Sequence, residues 1–233
     1  MCTRFLLRRP AAELAAALGV ADFPSPLPRY NAAPQQHLPV VRRRPGSGRR
    51  EAAALRWGFV PGWSPTPTTP TLLVNARAET ATTKATFRDA FRHRRCLVPA
   101  DGFYEWRRTA AGPMPWLFEH TAGQLLLLAG LWERWAGPDA EPFESFAVLT
   151  TTPNAVVAAI HDRMPALIPA PSLDEWLDPL TPPERLAALL GPAPAGELHA
   201  RPVHPRLNNT AHDDASCLAP PPPAPAQLDL GLG

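Results

Sequence analysis

The sequence predicts a β-rich domain that also contains short helices. Apolar runs bounded by Gly, Pro, Asn and Asp recur along the chain, and such runs are typical of strands. The helical patterns are short; residues 10–18, for example, begin at a proline and are followed by Gly19 as an end signal. With 233 residues, 45% of them hydrophobic, the chain can bury the core of one large domain.

The elements follow one another without an internal repeat. Strands are predicted at residues 37–42 and 52–59 around a basic loop, within 72–80, on both sides of an Asp-Gly turn in 96–106, and as a meander of residues 115–120, 124–132 and 143–151. Helices are predicted at residues 84–92, with Phe87 and Phe91 buried, at 153–160 behind a Thr152 cap, and after capping boxes at 172–175 and 181–184. Residues 1–218 should form the domain and residues 219–233 a disordered, proline-rich tail.

Composition excludes several classes of protein. The longest apolar run, residues 125–132, is far shorter than the about 20 residues that a membrane helix needs. Charged residues and a proline at positions 8–10 argue against a secretory signal. Cys2, Cys96 and Cys217 are odd in number and lack CxxC spacing, so we expect neither disulfides nor a metal site, and we expect a reducing, cytoplasmic location.

Charge is distributed unevenly along the chain. Residues 1–110 contain 18 Lys and Arg against 7 Asp and Glu, a net charge of +11, whereas residues 111–233 carry −9. The basic half is almost entirely arginine, because Lys84 is the single lysine of the sequence. Guanidinium groups pair with phosphate and stack on bases, so this half favours a nucleic-acid partner, although a GC-rich genome also enriches arginine.

Cys2 is the most reactive group that the sequence suggests. Removal of Met1 would leave a free α-amine beside the thiol, and both titrate within about two pH units of neutrality. Such an aminothiol reacts with an aldehyde to form an imine and then a thiazolidine ring. The alternative from position alone is an unimportant cysteine at a frayed terminus.

Two further segments carry candidate binding groups. In an extended segment, Asn75 and Arg77 project from one face and offer an amide for a sugar hydroxyl and a guanidinium for a phosphate; an ordinary strand end is the alternative. Trp63 follows a Pro-Gly turn and is predicted to be a surface residue suited to base stacking, whereas Trp57 is predicted to be buried.

Two titratable residues are candidates for proton transfer. Glu105 lies among apolar residues, which would raise its pKa toward neutrality. His161 is predicted at a helix C-terminus beside Asp162, where the dipole and the carboxylate would favour the imidazolium; a capping role is the alternative. Asp101 is predicted to form a turn, and Cys96 to be an inert core thiol.

Six segments in order resemble the SOS response-associated peptidase family, over about residues 2–210. They are Met-Cys-x-Arg-Phe at residues 1–5, Arg-Tyr-Asn with Ala-Pro at 29–34, Trp-Gly at 57–58, Asn-Ala-Arg-Ala-Glu at 75–79, Ala-Asp-Gly-Phe-Tyr-Glu-Trp at 100–106 and Ile-His-Asp-Arg-Met-Pro at 160–165. The resemblance implies an α+β fold, a single β-rich domain with mixed or antiparallel, barrel-like sheets flanked by short helices.

The resemblance also implies roles for individual residues. Cys2 would form a thiazolidine with the ring-opened deoxyribose of an abasic site, Asn75 would orient the sugar and the N-terminus, and Glu105 and His161 would transfer protons. The residues expected to contact DNA are Arg4, Arg77, Trp63 and Asn31. The partner would be single-stranded DNA containing abasic sites, bound by a monomer without a cofactor or metal.

The sequence departs from the family pattern at three places. Thr3 stands where glycine is usual, Ser64 where a second tryptophan often follows Trp63, and Leu207 where valine is usual. The β-branched Thr3 restricts the backbone beside Cys2 and bears on the removal of Met1.

The sequence therefore predicts a sensor of abasic sites that forms a covalent cross-link with DNA. An imine that does not close would permit lyase activity, and removal of Met1 would be autoproteolytic. Two other classes stay open: a cysteine peptidase or amidohydrolase with Cys2 as its nucleophile and His161 as base, and a module that binds single-stranded DNA without a covalent bond.

Overall fold

The computed structural model describes residues 2–24, 28–69, 71–110, 112–137 and 140–223. The strands are β1 (Phe5–Leu7), β2 (Arg29–Ala32), β3 (His37–Arg43), β4 (Arg50–Trp57), β5 (Asn75–Arg77), β6 (Arg95–Ala100), β7 (Gly102–Thr109), β8 (Gly112–His120), β9 (Leu126–Trp135), β10 (Phe143–Thr151), β11 (Met164–Pro165) and β12 (Leu198–Pro202). The α-helices are α1 (Ala11–Leu18), α2 (Ala78–Ala81), α3 (Arg88–His93), α4 (Ala155–Ala158), α5 (Leu173–Leu177) and α6 (Pro183–Ala188).

The strands form two sheets. The first has the order β12-β8-β7-β1-β2, and each strand runs antiparallel to its neighbours. The second has the order β11-β10-β4-β3-β6-β9, and β9 also pairs with β10, so five strands close into a small barrel. Because β10 runs parallel to β4 and β5, this sheet is mixed. The predicted β-rich α+β domain is confirmed.

Large aromatic side chains fill the core where the barrel meets the N-terminal strand. Trp57 is completely buried, stacks on Phe146 at 5.9 Å between ring centroids, and packs against Phe5 at 5.4 Å. The Trp57 indole nitrogen donates a hydrogen bond to the Val74 carbonyl, which satisfies its polar atom. The prediction that Trp57 belongs to the core is confirmed.

Strand β1 positions the N-terminus in the middle of the first sheet. It pairs with β7 and β2, and its Phe5 lies opposite Phe103. Strand β7 begins at Gly102, and only glycine fits at this position because a Cβ would lie 2.6 Å from the carbonyl oxygen of Phe118 on β8. Residue 2 is thereby brought next to β7, where every second side chain faces the same side.

The predicted strands are correct in position, and the predicted meander is partly wrong in pairing. The segments on either side of Asp101 are both strands, as predicted, with β6 in the second sheet and β7 in the first. Similarly, β8 and β9 lie in different sheets, and only β9 and β10 pair as the predicted meander requires. Local pattern identifies strands, whereas pairing depends on the packing of the whole chain.

Helix α1 follows the prediction, whereas the later helices start differently. Gly19 has a φ of 64° and ends α1, as expected. Helix α4 is capped by Asn154, whose side chain accepts a hydrogen bond from Val157 N, and not by Thr152. Neither predicted capping box forms: Ser172 makes no capping hydrogen bond, and the Thr181 hydroxyl donates to the Glu175 carbonyl.

One further helix is shorter than predicted, and the predicted tail is described only in part. The segment predicted as one helix over residues 84–92 is helical as α3 from Arg88, while Phe87 and Phe91 are buried as expected. The predicted tail starts at residue 219, and its residues 224–233 lie outside the described residues.

Candidate functional site

Cys2 is buried at the start of β1 and makes two backbone-directed contacts. Its thiol donates a weak hydrogen bond to the Arg4 carbonyl at 3.7 Å, and its own carbonyl accepts a hydrogen bond from Asn75 Nδ2 at 2.9 Å. Burial raises the pKa of the Cys2 thiol well above its usual range, and the neighbouring Glu105 carboxylate raises it further. The thiol is therefore protonated at neutral pH in this state of the chain.

Asn75 reaches Cys2 because its strand lies beside the long strand β10. Asn75 lies opposite Val148 in a parallel pair, and Ala76 between Asn75 and Arg77 is buried. The predicted alternation is confirmed, since Asn75 is half-buried toward Cys2 and Arg77 is exposed. The Asn75 Oδ1 atom is buried and has no hydrogen-bond partner among the described residues, so the amide has an acceptor to offer to a bound molecule.

Glu105 projects from β7 into the same cleft. Its side chain is about 2% exposed, and this burial raises its pKa to about 7. The predicted shift is confirmed in direction. A carboxyl group with a pKa near neutrality can both donate and accept a proton under physiological conditions.

His161 faces Glu105 from the segment that follows α4. Its Nε2 lies 3.7 Å from Glu105 Oε2, and its Nδ1 accepts a hydrogen bond from the Arg163 backbone N at 3.0 Å. The Arg163 carbonyl lies 3.2 Å from the same Nδ1, so Nδ1 has a backbone donor and a backbone acceptor within reach. The N–H directed at Nδ1 favours the neutral ring that carries its proton on Nε2, toward Glu105.

The predicted charge state of His161 is wrong. Helix α4 ends at Ala158, and the His161 backbone N donates to the Val157 carbonyl at 2.9 Å beyond that end. Burial lowers the pKa of His161 and outweighs the opposing effect of Asp162, whose side chain is 89% exposed. Solvent screens that carboxylate, so the neutral imidazole is the main form.

We call Cys2, Asn75, Glu105 and His161 the Cys2 cluster. Beside it lies an open groove of about 660 Å³, lined by Arg77, Glu79, Thr80, His161, Asp162 and Arg163. Arg77 is exposed in this wall and available to an anionic ligand. The groove reaches the Cys2 cluster at His161, and its exposed Arg77 offers a guanidinium that suits a phosphate.

Trp63 lies on the surface, as predicted, with 68% of its area exposed. The loop that carries it is held to the barrel by the Trp135 indole nitrogen, which donates to the Ser64 carbonyl at 2.9 Å. A contact of Trp63 with DNA stays a prediction.

Arg4 and Asn31 occupy a second polar cluster, on the other side of β1. Asn31 is completely buried; its Nδ2 lies within hydrogen-bonding distance of the carbonyls of Leu207, Asn209 and His212, and its Oδ1 accepts from Arg4 Nη1 at 3.0 Å. The same Arg4 nitrogen donates to the Leu207 carbonyl at 3.0 Å. The Asn31 cluster, as we name it with Asp213, joins the chain's two ends, and direct DNA contacts of its members stay a prediction.

Residues that the motif interpretation did not use complete both clusters. Asp213 accepts hydrogen bonds from the backbone N of Tyr30 and Asn31, and Arg163 forms a two-pronged ion pair with Glu79. Asp101 also does more than form a turn, because it accepts from the backbone N of Arg8 at 2.6 Å. Glu79 and Arg163 belong to the motifs at residues 75–79 and 160–165, but the sequence alone did not predict that they pair.

The described residues contain neither a cluster of metal ligands nor a helix that could span a membrane. Across the described ranges, no three His, Cys, Asp or Glu side chains approach closely enough to hold a metal ion. In the same part of the chain, no helix has the length and apolar character needed to cross a membrane. All three cysteines are free and buried, and burial raises the pKa of Cys96, as expected of a core thiol.

Together, the fold and site define a protein that presents a residue-2 cysteine to a cleft containing a carboxyl group and an imidazole. The family model for the SOS response associated peptidase (SRAP) matches residues 1–210, and the chain belongs to this family.

Relatives of the chain share one descriptive name. The abasic site processing protein YoqW of Bacillus subtilis is 36% identical over 184 residues, which cover 78% of this chain and 81% of the relative. The abasic site processing protein HMCES of Xenopus tropicalis is 30% identical and covers 82% of this chain and 66% of its own length. The abasic site processing protein YedK of Escherichia coli is 27% identical, and the match covers 94% of this chain and 100% of the relative.

Solved structures share the fold. A protein from Bacteroides thetaiotaomicron superposes with a TM-score of 0.81 at 24% identity, covering 94% of this chain and 99% of its own. A protein from Bordetella bronchiseptica gives a TM-score of 0.75 at 28% identity, covering 87% of this chain and 99% of its own.

Proposed function

We propose that this protein processes abasic sites in single-stranded DNA by forming a covalent thiazolidine between Cys2 and the ring-opened deoxyribose. The observation that carries the proposal is the juxtaposition of Cys2 with Glu105, Asn75 and His161 in one cleft. The family and the relatives named as abasic site processing proteins support it.

The chemistry starts when Met1, which lies outside the described residues, is removed and the Cys2 amine becomes free. The amine attacks the C1′ aldehyde of the open sugar, and loss of water gives an imine. The thiol then adds across the C=N bond: sulfur bonds to C1′ and the thiol proton ends on nitrogen. The five-membered ring forms without a cofactor.

Glu105 and His161 supply the proton transfers that these steps need. A carboxyl group whose pKa is about 7 can protonate the departing hydroxyl and recover a proton when the iminium loses its N–H proton to give the imine. It can then donate that proton to the imine nitrogen while it accepts the proton of the Cys2 thiol. The neutral His161 offers an Nε2–H donor toward the same space, suited to the sugar oxygen during ring opening. Asn75 holds the Cys2 carbonyl and so fixes the direction of the amine.

Arg77 and Trp63 are proposed to hold the DNA strand on either side of the reacting sugar. Arg77 would pair with a phosphate in the groove, and Trp63 would stack on an unpaired base. Arg4 and Asn31 would contribute mainly by holding β1, since their polar atoms bind the C-terminal segment. The protein would act as a monomer, on cytoplasmic or nucleoid DNA.

Two side activities belong to the same proposal. An imine that has not closed acidifies the neighbouring C2′ proton, and its removal by Glu105 would eliminate the 3′ phosphate, which is a lyase reaction. Removal of Met1 by the same residues would be autoproteolysis. The Cys2 thiol would attack the carbonyl of Met1, the amide bond would break as the thiol proton passes to the Cys2 nitrogen, and water would hydrolyse the resulting thioester to release methionine. The high pKa of the thiol disfavours a general cysteine peptidase.

The test uses single-stranded DNA containing uracil, treated with a glycosylase to create one abasic site. We expect a species that survives a denaturing gel with wild-type protein and is lost in Cys2→Ala. DNA without the lesion is the control for non-covalent binding. Equal cross-linking by Cys2→Ala would refute the thiazolidine, and intact-mass measurement establishes whether Met1 is absent.

A further inference from the structure

Arg163 connects the two walls of the groove. Its guanidinium donates to both carboxylate oxygens of Glu79, at 2.6 and 2.8 Å, and to the Thr150 carbonyl at 2.6 Å. Its backbone N donates to Nδ1 of His161 at 3.0 Å. One residue therefore binds α2 and β10 with its side chain and the catalytic imidazole with its backbone.

The geometry of this bridge is restrictive. The two-pronged pairing of guanidinium and carboxylate fixes both the distance and the plane of the two groups, unlike a pairing with lysine. The Arg163 side chain is 16% exposed and its bond to the Thr150 carbonyl is partly buried, whereas the Glu79 carboxylate is 44% exposed and meets solvent on its outer side. Glu79 follows Arg77 by two residues, and Arg77 lies opposite Thr150 in the parallel pair of β5 and β10.

The backbone N–H of Arg163 favours one of the two neutral forms of the His161 ring. It points at Nδ1 from 3.0 Å and so favours the proton on Nε2, on the side of Glu105. Two acceptors also lie near Nδ1, the Arg163 carbonyl at 3.2 Å and Asp162 Oδ1 at 3.1 Å, so a shift of residues 161–163 that moved the N–H away would let Nδ1 bear the proton instead. The same shift would admit water and allow the imidazolium to form.

We propose that the Glu79–Arg163 ion pair is a positioning device that holds His161 as the Nε2-protonated neutral ring and connects its loop to the wall that carries Arg77. This assignment rests on the proposed function for its catalytic consequence, but the ring state of His161 is a property of the free protein. Glu79 and Arg163 are positioning residues here, because they act through His161.

Several charged groups surround His161, and each bears on how the test is interpreted. Glu105 faces it from β7, Asp162 and Arg163 belong to its own segment, and Arg77 and Glu79 face it from β5 and α2. On β7, Arg107 reaches the Ala159 carbonyl, and the charge of Arg108 lowers the pKa of His161. Glu79→Gln alters the charge of one member and leaves the others in place.

The main experiment measures the single-turnover rate of cross-linking for Glu79→Gln and Arg163→Lys at saturating abasic DNA, across pH 5 to 8. We expect the single-turnover rate to fall by up to about tenfold in both variants. Small displacements of catalytic groups can lower a rate by up to about a hundredfold. The acid limb of the pH profile should move to higher pH as His161 becomes easier to protonate. Affinity of Glu79→Gln for a non-reactive abasic analogue should change less than about threefold.

Glu175→Gln is the matched control, because Glu175 pairs with the exposed Arg185 at 2.9 Å on α5 and α6, outside the groove. It should behave as wild type in every assay. A wild-type saturating rate and pH profile in Glu79→Gln would overturn the proposal. So would a change in Arg163→Lys confined to DNA affinity, because Arg163 would then be a phosphate contact and no more.

A second measurement separates this inference from the proposed function. Nitrogen NMR of the His161 ring in DNA-free protein should show the proton on Nε2 in the wild type and a mixture of ring states in Glu79→Gln. A ring unchanged by the substitution would overturn the positioning role. Failure of wild-type protein to cross-link abasic DNA would refute the proposed function alone, since the ring state is measured without DNA.

Discussion

The two polar clusters on either side of β1 contain similar groups and differ in whether burial shifts the ionisation of their side chains. In the Asn31 cluster, a buried amide meets three backbone carbonyls and a guanidinium within hydrogen-bonding distance. In the Cys2 cluster, the Glu105 and His161 side chains lie 3.7 Å apart, beyond a normal hydrogen bond, and burial shifts both pKa values toward their neutral forms.

The difference separates a structural cluster from a reactive one. Direct hydrogen bonds to carbonyls stabilise one arrangement and leave Asn31 with little to offer a ligand. Burial of the Glu105 carboxyl costs stability above its ordinary pKa, and the same burial makes the group able to transfer protons near neutral pH when a substrate arrives. The four predictions below test this contrast, from the largest expected effect to the smallest.

Asn31→Ala should destabilise the protein most. The substitution removes the amide, leaves the carbonyls of Asn209 and His212 without this donor, and takes from Arg4 its acceptor on Asn31, while the Leu207 carbonyl keeps Arg4. We expect a loss of about 2 to 4 kcal/mol in the free energy of unfolding. Urea denaturation measures it. Thr68→Ala, on the exposed loop after Trp63, is the control, and an Asn31→Ala loss below about 1 kcal/mol would show that the cluster is not structural.

Glu105 should make stability fall as pH rises. Its pKa is raised to about 7 in the folded protein from about 4.5 when unfolded, so the unfolded state releases its proton first and folding weakens between these values. The free energy of unfolding should fall by about 3 kcal/mol in total, and the decrease is complete only above pH 7. Unfolding free energies of wild type and Glu105→Gln should diverge over pH 4.5 to 7, and parallel curves would contradict the raised pKa.

Glu105→Gln should also slow cross-linking while leaving DNA binding intact. Loss of a general acid and base typically costs about a hundredfold or more in rate, and glutamine preserves the shape of the side chain. The measurement is the single-turnover rate at saturating abasic DNA, with affinity for a non-reactive analogue measured in parallel. An unchanged rate would assign Glu105 to structure, like Asn31.

Trp63→Ala should have the smallest effect, confined to binding. One stacked base contributes about 1–3 kcal/mol, so affinity for single-stranded DNA should fall about tenfold, and stability should change little because the indole is exposed. Fluorescence anisotropy with labelled DNA gives the affinity. Trp63→Phe is the matched control and should retain most of the binding; an Ala variant with wild-type affinity would exclude stacking at this position.

Much of the site was accessible from the sequence because it is encoded in short motifs. The pattern around residues 75–77 predicted an extended segment with alternating faces, and the apolar neighbours of Glu105 predicted the direction of its pKa shift. Trp63 and Trp57 were assigned correctly to surface and core. Each prediction depended on residues a few positions away, where local geometry decides.

The ionisation of His161 could not be predicted this way. Its neighbour Asp162 and the preceding helix suggested an imidazolium. However, α4 is only four residues long, and the His161 side chain is 24% exposed and lies against Glu105 of the distant strand β7. Desolvation dominates the pKa of His161, and desolvation is set by packing.

The sequence by itself determined where most of the long strands lie and which residues carry chemistry, whereas it predicted no strand at β1 or β2. Only the tertiary structure decided that β9 and β10 close a barrel, that β6 and β7 belong to different sheets, and that Arg4 meets Leu207 across the chain. The physical reason is separation along the chain: local patterns reflect backbone geometry within a few residues, whereas pairing, burial and charge state depend on contacts between segments that only folding brings together.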